Sequence, residues 1–259
     1  MHLNQVVNTD SHPLTSDAYR QQCLQQLKST GVLVMQDFLM PAALDKVIAE
    51  GKAKQHLAFY TNSGHNVYLT QKNSAFADDH THNQWVQSSK GCITDDQIGT
   101  DSALRTLYDD AQLKSFLAFV LGEHTLHPYA DPLSSINLHY ASQGQELGWH
   151  FDNSSFAITL LIQSPTAGGQ FEYVSKLRDS SQGDMNYAGV QQVLNGDVKG
   201  QTLAVNAGDL VLFRGRDALH RVTPTEGDTT RMLVVLAYNS EPNVELSESA
   251  RMTFYGRLQ

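Results

Sequence analysis

Gly148-Trp149-His150-Phe151, Gly169-Gln170-Phe171-Glu172-Tyr173-Val174 and Asp209-Leu210-Val211-Leu212-Phe213-Arg214 are short apolar and aromatic runs, each beside turn-forming residues. Aromatic and β-branched side chains suit a pleated, half-buried surface, so these stretches read as strands. Five further segments share the texture: Ser135–Tyr140, Phe156–Gln163, Gln201–Val205, Arg221–Thr223 and Arg231–Tyr238. Turn signals divide them at Ser142–Gly144, Ala167–Gly169, Asn195–Gly196, Ala207–Gly208 and Glu226–Asp228. About eight short strands at this spacing predict a β-sandwich or a barrel.

Upstream of Pro132 the pattern is helical. Ser16 suits the cap of a helix running to about Ser29, with Tyr19, Cys23, Leu24 and Leu27 at helical intervals and Gly31 as its stop. Val32 to Phe38 is apolar and β-favouring, and Pro41 is placed to open a second helix through Leu44, Val47 and Ile48. A third helix is expected over Asp101–Leu121, with Leu104, Leu107, Leu113, Leu117 and Val120 as its inner stripe. Residues 60–100 are rich in Asn, Ser, Asp and His and read as loop cover around one short strand, Asn66–Thr70. The fold class is therefore α+β, helices first. No composition break marks a linker, so one domain is expected over 1–259: helical and loop cover (1–130), a β core (131–240) and a C-terminal segment (241–259).

The charge balance excludes several partners. Eighteen Lys and Arg stand against 27 Asp and Glu, a net charge of −9, and no basic cluster is present to neutralise phosphates. Nucleic acid and anionic membrane surfaces are thus unsuitable partners. No apolar run reaches the roughly 18–20 residues that span a bilayer. Met1 to Asp10 lacks a basic and an apolar region, so no signal peptide is expected. Cys23 and Cys92 are too few for a disulfide framework, and a reducing, cytoplasmic setting follows.

Within the β half, His150-Phe151-Asp152 places an imidazole and a carboxylate on one strand face, because side chains two apart point the same way. That is two thirds of the two-histidine, one-carboxylate facial set, which leaves three metal positions open. His220 can supply the third ligand, and eleven residues further on Arg231 opens the apolar strand Met232–Tyr238. A guanidinium carried into a barrel needs an anion, since an unpaired buried charge is very costly. A dicarboxylate that chelates the metal at one end and meets the arginine fork at the other answers both requirements.

These residues resemble the iron(II)- and 2-oxoglutarate-dependent oxygenases, whose HxD…H…R pattern matches His150, Asp152, His220 and Arg231. Gly148–Ser154, Gly168–Tyr173 and Gly215–Val222 look like the subgroup of small-molecule hydroxylases and free-amino-acid halogenases. The resemblance spans about residues 130–240. It implies a double-stranded β-helix (jelly-roll) core with the N-terminal helices packed outside. It also implies Fe(II) on His150, Asp152 and His220, the distal carboxylate of 2-oxoglutarate on Arg231, O₂ as oxidant, and hydroxylation of a small polar molecule such as a free amino acid with release of succinate and CO₂. Tyr140, ten residues before His150, matches a family tyrosine that touches the co-substrate. Where the family often has Ser or Thr two residues after the arginine, this chain has Leu233, so Tyr140 or Thr159 is expected to supply that hydrogen bond. Halogenating relatives carry a small residue in place of the carboxylate, so Asp152 favours oxygen-atom chemistry.

Substrate contacts are expected from Asn153, Ser154 and Ser155, with Arg178, Arg214 and Arg216 available to an anionic group. Asp179–Asn186 reads as a lid or a plain connector, and the aromatic, basic Arg251–Arg257 as a cover for the site or a neighbouring subunit. His80/His82 and His124/His127 have metal-like spacing but no committed carboxylate or cysteine, and read as surface histidines. Two alternatives stay open: desaturation or cyclisation at the same iron, and a non-redox metal-binding jelly roll acting as a ligand sensor or zinc-dependent enzyme. No nucleophile elbow or Gly-rich phosphate loop is present.

Overall fold

In the computed structural model, which describes residues 1–259, α1 (Asp17–Thr30) is capped by the Ser16 side chain and stopped by Gly31 in the left-handed region (φ 79°), whose N–H closes on the Leu27 carbonyl. The chain passes directly into β1 (Val32–Met35), and Pro41 occupies the first turn of α2 (Pro41–Lys54). The helix expected over Asp101–Leu121 is two, α3 (Ala103–Asp109) and α4 (Ala111–Leu121). Asp110 breaks it: its backbone is extended (φ −65°, ψ 123°), and its carboxylate accepts the N–H groups of Gln112 and Leu113 at 2.8 and 2.9 Å, capping a new helix.

The stretch read as loop cover holds a long hairpin instead, β2 (Phe59–Asn66) paired with β3 (Trp85–Ile93). β2 is an edge strand whose residues are mostly exposed and polar, so it lacks the apolar alternation that announces a strand. Residues 67–70 form the turn that leaves it.

The second half contributes β4 (Ile136–Ala141), β5 (Leu147–His150), β6 (Ala157–Gln163), β7 (Ala167–Gly168), β8 (Phe171–Val174), α5 (Tyr187–Leu194), β9 (Gln201–Leu203), β10 (Leu210–Phe213), β11 (Leu219–Val222), β12 (Thr225–Glu226), β13 (Arg231–Leu236) and α6 (Glu248–Tyr255). Every pairing is antiparallel. The strand order runs β1-β10-β6-β13-β4-β3 and continues β5-β11-β8-β9, with β2 on β3 and β7–β12 apart. A single residue pair, Ser88 with Leu147, joins β3 to β5, and the large sheet curls there into two leaves that face each other. This is the double-stranded β-helix, with helices outside the first leaf.

Alternation assigns the faces of that leaf. Leu138, Tyr140, Leu160, Ile162, Leu212, Met232 and Val234 point outward into a core shared with α1–α4. The intervening His139, Thr159, Leu161, Val211, Arg231 and Leu233 line a cavity between the leaves. Outside the second leaf, Trp149, Phe151 and Leu219 pack on Val67, Tyr68, Val190 and Val193. No helix is long and apolar enough to cross a membrane.

Candidate metal centre

His150 ends β5 and His220 lies directly opposite it on β11, where a bulge toward Val222 shifts the register. Facing residues in an antiparallel pair bring their side chains together, and the two imidazole centroids are 4.1 Å apart. Asp152 lies just past β5, held by its N–H on the Gly215 carbonyl at 3.0 Å. Its Oδ1 is 3.7 Å from His150 Nε2 and 3.5 Å from His220 Nε2. A Cβ at position 215 would collide with this carboxylate, so the close approach requires glycine there.

The donors are oriented for a cation. His150 Nδ1 meets the Gly148 carbonyl at 2.8 Å and His220 Nδ1 meets the Ala218 carbonyl at 2.9 Å. A carbonyl only accepts, so each Nδ1 carries the proton and each Nε2 presents its lone pair to the other donors. Asp152 Oδ2 is buried without a hydrogen-bond partner. One ligand atom from each residue lies within 4.8 Å of the others. Burial first, and then His220 beside it, push His150 down to about 3, so its imidazole is neutral and ligand-competent at neutral pH. Burial alone would raise the Asp152 carboxyl, but His220 and His150 outweigh it and hold the group below its ordinary value. The neutral His150 imidazole, the facing His220 ring and an orphaned carboxylate oxygen fit a divalent transition metal with room for exogenous ligands.

The centre opens into a cavity of about 900 Å³ lined by both leaves. Across it stands Arg231, buried, with its Nε lacking any partner and its guanidinium lowered to about 10 by burial. No carboxylate of the chain lies within salt-bridge distance of it, so its charge is unpaired within the chain. Thr159 and Ser154 also line the cavity.

Other expected contacts lie elsewhere. Tyr140 faces outward, fully buried, and its hydroxyl donates to the Gly51 carbonyl at 2.7 Å, so it cannot touch a ligand between the leaves. Counting ten residues back from His150 reached the right strand and the wrong face; His139 holds the inward position. Arg214 donates to the Leu121 carbonyl outside the first leaf. Arg178 lies over the Phe151 ring at 4.0 Å and donates to the Arg216 carbonyl. Arg216 itself donates to the Asn153 carbonyl at 2.7 Å, tying down the loop after Asp152. None of these three arginines, nor Asn153 or Ser155, lines the cavity.

Two lining residues escaped the sequence reading. His139 stands beside the chemically more conspicuous Tyr140, and Lys90 lies in a polar stretch without the apolar alternation that would mark its face. The C-terminal segment closes one end of the cavity: Phe254 and Tyr255 line it, and the Tyr255 hydroxyl donates to Asn137 Oδ1 at 2.9 Å. Asp179–Asn186 folds on itself through an Asp179–Asp184 bridge and does not reach the cavity, as a connector would. His80 stacks on Phe76, while His82 is not a surface histidine: it is buried, stacked on Tyr68; neither they nor His124 and His127 join a third metal-ligating side chain.

The family described as Halogenase D matches residues 15–254. No curated protein matches the chain. Among solved structures the chain is similar to the carbocyclase SnoK of nogalamycin biosynthesis (13% identity, 84% of this chain and 83% of that one, TM-score 0.59). It is similar to the epimerase SnoN in complex with Fe³⁺, α-ketoglutarate and nogalamycin RO (13%, 86% and 84%, 0.56). It is also similar to a 2-oxoglutarate–Fe(II) oxygenase family oxidoreductase from Burkholderia pseudomallei (12%, 89% and 95%, 0.54). At these identities the likeness is one of fold.

Proposed function

The chain belongs to the halogenase D family, and we propose that it is an Fe(II)- and 2-oxoglutarate-dependent oxygenase that hydroxylates a small polar molecule, with free amino acids as the first class to test. One observation carries this reading: three oriented donors and an unpaired buried arginine share one cavity. His150, Asp152 and His220 would hold the iron on one face and leave three positions open. Arg231 would fix the distal carboxylate of the co-substrate through its guanidinium fork; Thr159 lines the same cavity but pairs with Val235, four residues along β13 from Arg231, and so does not share that carboxylate. The iron and 2-oxoglutarate supply the oxidising chemistry with O₂, releasing succinate and CO₂. The apolar side chains of Leu161, Val211, Phe213, Leu233 and Val235 keep water from the space between metal and arginine.

Hydroxylation is preferred over halogenation because Asp152 fills the third protein position. A halide would need that place left open by a small residue, whereas here Gly215 makes room for the carboxylate. In this reading the whole chain serves one oxygenase site. The buried, unpaired Cys23 and Cys92 suit a reducing cytoplasm.

The test is turnover of the purified protein with Fe(II), 2-oxoglutarate, ¹⁸O₂ and chloride against a panel of free amino acids, followed by mass spectrometry. The expected result is succinate release coupled to a singly ¹⁸O-labelled product without chlorine. A chlorinated product would overturn the preference for hydroxylation, and absence of substrate-coupled succinate release across a broad metabolite panel would overturn the oxygenase reading.

A further inference from the structure

Resting on the oxygenase reading, we infer that Lys90 and His139 form a second anion subsite in the cavity, which receives a carboxylate of the organic substrate. Lys90 sits on β3 and His139 on β4, and both line the cavity. Lys90 Nζ is 3.3 Å from His139 Nδ1. An ammonium has only donors, so His139 Nδ1 accepts from it, and the ring proton then resides on Nε2. That Nε2 makes no hydrogen bond to the protein, and Lys90 has no carboxylate within salt-bridge distance. The remaining ammonium N–H groups of Lys90 and the Nε2–H of His139, on adjacent strands that line the cavity, therefore lack an acceptor.

The charges of the cavity wall point the same way. Its charged residues are Lys90, Arg231 and Asp152, the last being its one carboxylate. In the loaded site a dianionic co-substrate offsets a divalent ion, and Asp152 offsets one cation. One positive charge is left over, and a buried charge without a counterion is costly. Arg231 is matched to the distal carboxylate of the co-substrate, which leaves Lys90 for a further monoanion. Burial pulls the Lys90 ammonium below its ordinary value, with Asp152 among the groups opposing that shift. His139 is held well below its own value, first by burial and then by Lys90 and Arg231, so it acts as a neutral donor. Phe254 of α6 lies over the ammonium, 5.9 Å from its ring centroid. A simple carboxylate satisfies both the subsite and the charge balance; the α-carboxylate of a free amino acid satisfies the subsite, and an acidic amino acid, with its net charge of −1, satisfies both. These two residues take the anion-reading role that the sequence suggested for Arg178, Arg214 and Arg216.

The experiment is anaerobic calorimetric titration of the Fe(II)- and 2-oxoglutarate-loaded protein with 4-methylpentanoate and with its neutral isostere 4-methylpentanamide. The acid is expected to bind at least tenfold more tightly than the amide. Lys90→Met should abolish that preference while changing 2-oxoglutarate affinity less than twofold, and Lys90→Arg should restore it. The proposal is overturned if acid and amide bind alike, if wild type does not bind the acid, or if Lys90→Met weakens 2-oxoglutarate instead. Repeating the acid titration on metal-free protein separates the two readings. Lys90-dependent acid binding with no 2-oxoglutarate binding in wild type would leave the subsite standing and remove the oxygenase reading.

Discussion

The first leaf of the sheet buries its outer face under four helices in a core of 38 buried residues, whereas the second leaf, which carries both metal-facing histidines, is backed by a cluster of seven. Each fully buried aliphatic or aromatic side chain contributes about 1.5–3 kcal/mol, so stability is concentrated behind the first leaf. The second leaf holds groups that burial opposes: a facing pair of titratable imidazoles and an orphaned carboxylate oxygen. The difference teaches that one wall is a platform and the other an instrument, and that substitutions on the two should separate folding from chemistry.

The largest effect is expected from His150→Ala, which should abolish iron-dependent turnover while leaving the metal-free protein as stable as wild type or more so. Chemical denaturation beside an iron-binding assay checks both halves, and a strong loss of apoprotein stability would break the comparison. Phe116→Ala, in the helical core of the first leaf, should do the opposite, costing about 3–5 kcal/mol of stability with metal ligation intact in the folded fraction. Arg231→Met stands between, since it lies on the platform but serves the site. It should weaken 2-oxoglutarate by roughly 100-fold or more, as expected for loss of one partner of a buried charge pair, with iron affinity retained. Equal loss of iron in a titration would assign it another role.

A pH profile sharpens the contrast. The fold keeps His139 neutral, while the unfolded chain protonates near its ordinary value of 6.5. The folded pKa is depressed, so this contribution is complete above about pH 6.5 and is lost as pH falls below it, with a slope of up to about 1.4 kcal/mol per pH unit for one proton. His139→Gln should flatten the acid limb of metal-free stability by one proton; an unchanged slope would show that His139 does not titrate on unfolding. The smallest effect belongs to Tyr140→Phe. It removes one buried hydrogen bond to Gly51 and should cost about 1 kcal/mol, with 2-oxoglutarate affinity unchanged. A shift in that affinity would return Tyr140 to the site.

Most of the second half was readable because its strands are short, apolar and punctuated by glycine turns, and because His150, Asp152, His220 and Arg231 are chemically conspicuous. What stayed hidden has physical causes. β2 is polar because its face is wet, and Lys90 shares a hairpin with it, so no pattern marked that lysine as inward-facing. Tyr140 and His139 differ by one residue, and a one-residue step changes the face of a strand; only the pairing of β4 with β13 decides between them. The arginines near the centre looked available because a sequence does not show the backbone carbonyls that hold Arg178, Arg214 and Arg216.

The most direct test of the central claim is anaerobic absorption spectroscopy as Fe(II) and then 2-oxoglutarate are added to the wild-type protein. A weak visible charge-transfer band should appear only with both present, be absent in His150→Ala, and require far more 2-oxoglutarate in Arg231→Met. A wild-type protein that develops no band, or a band unchanged in His150→Ala, would contradict the account.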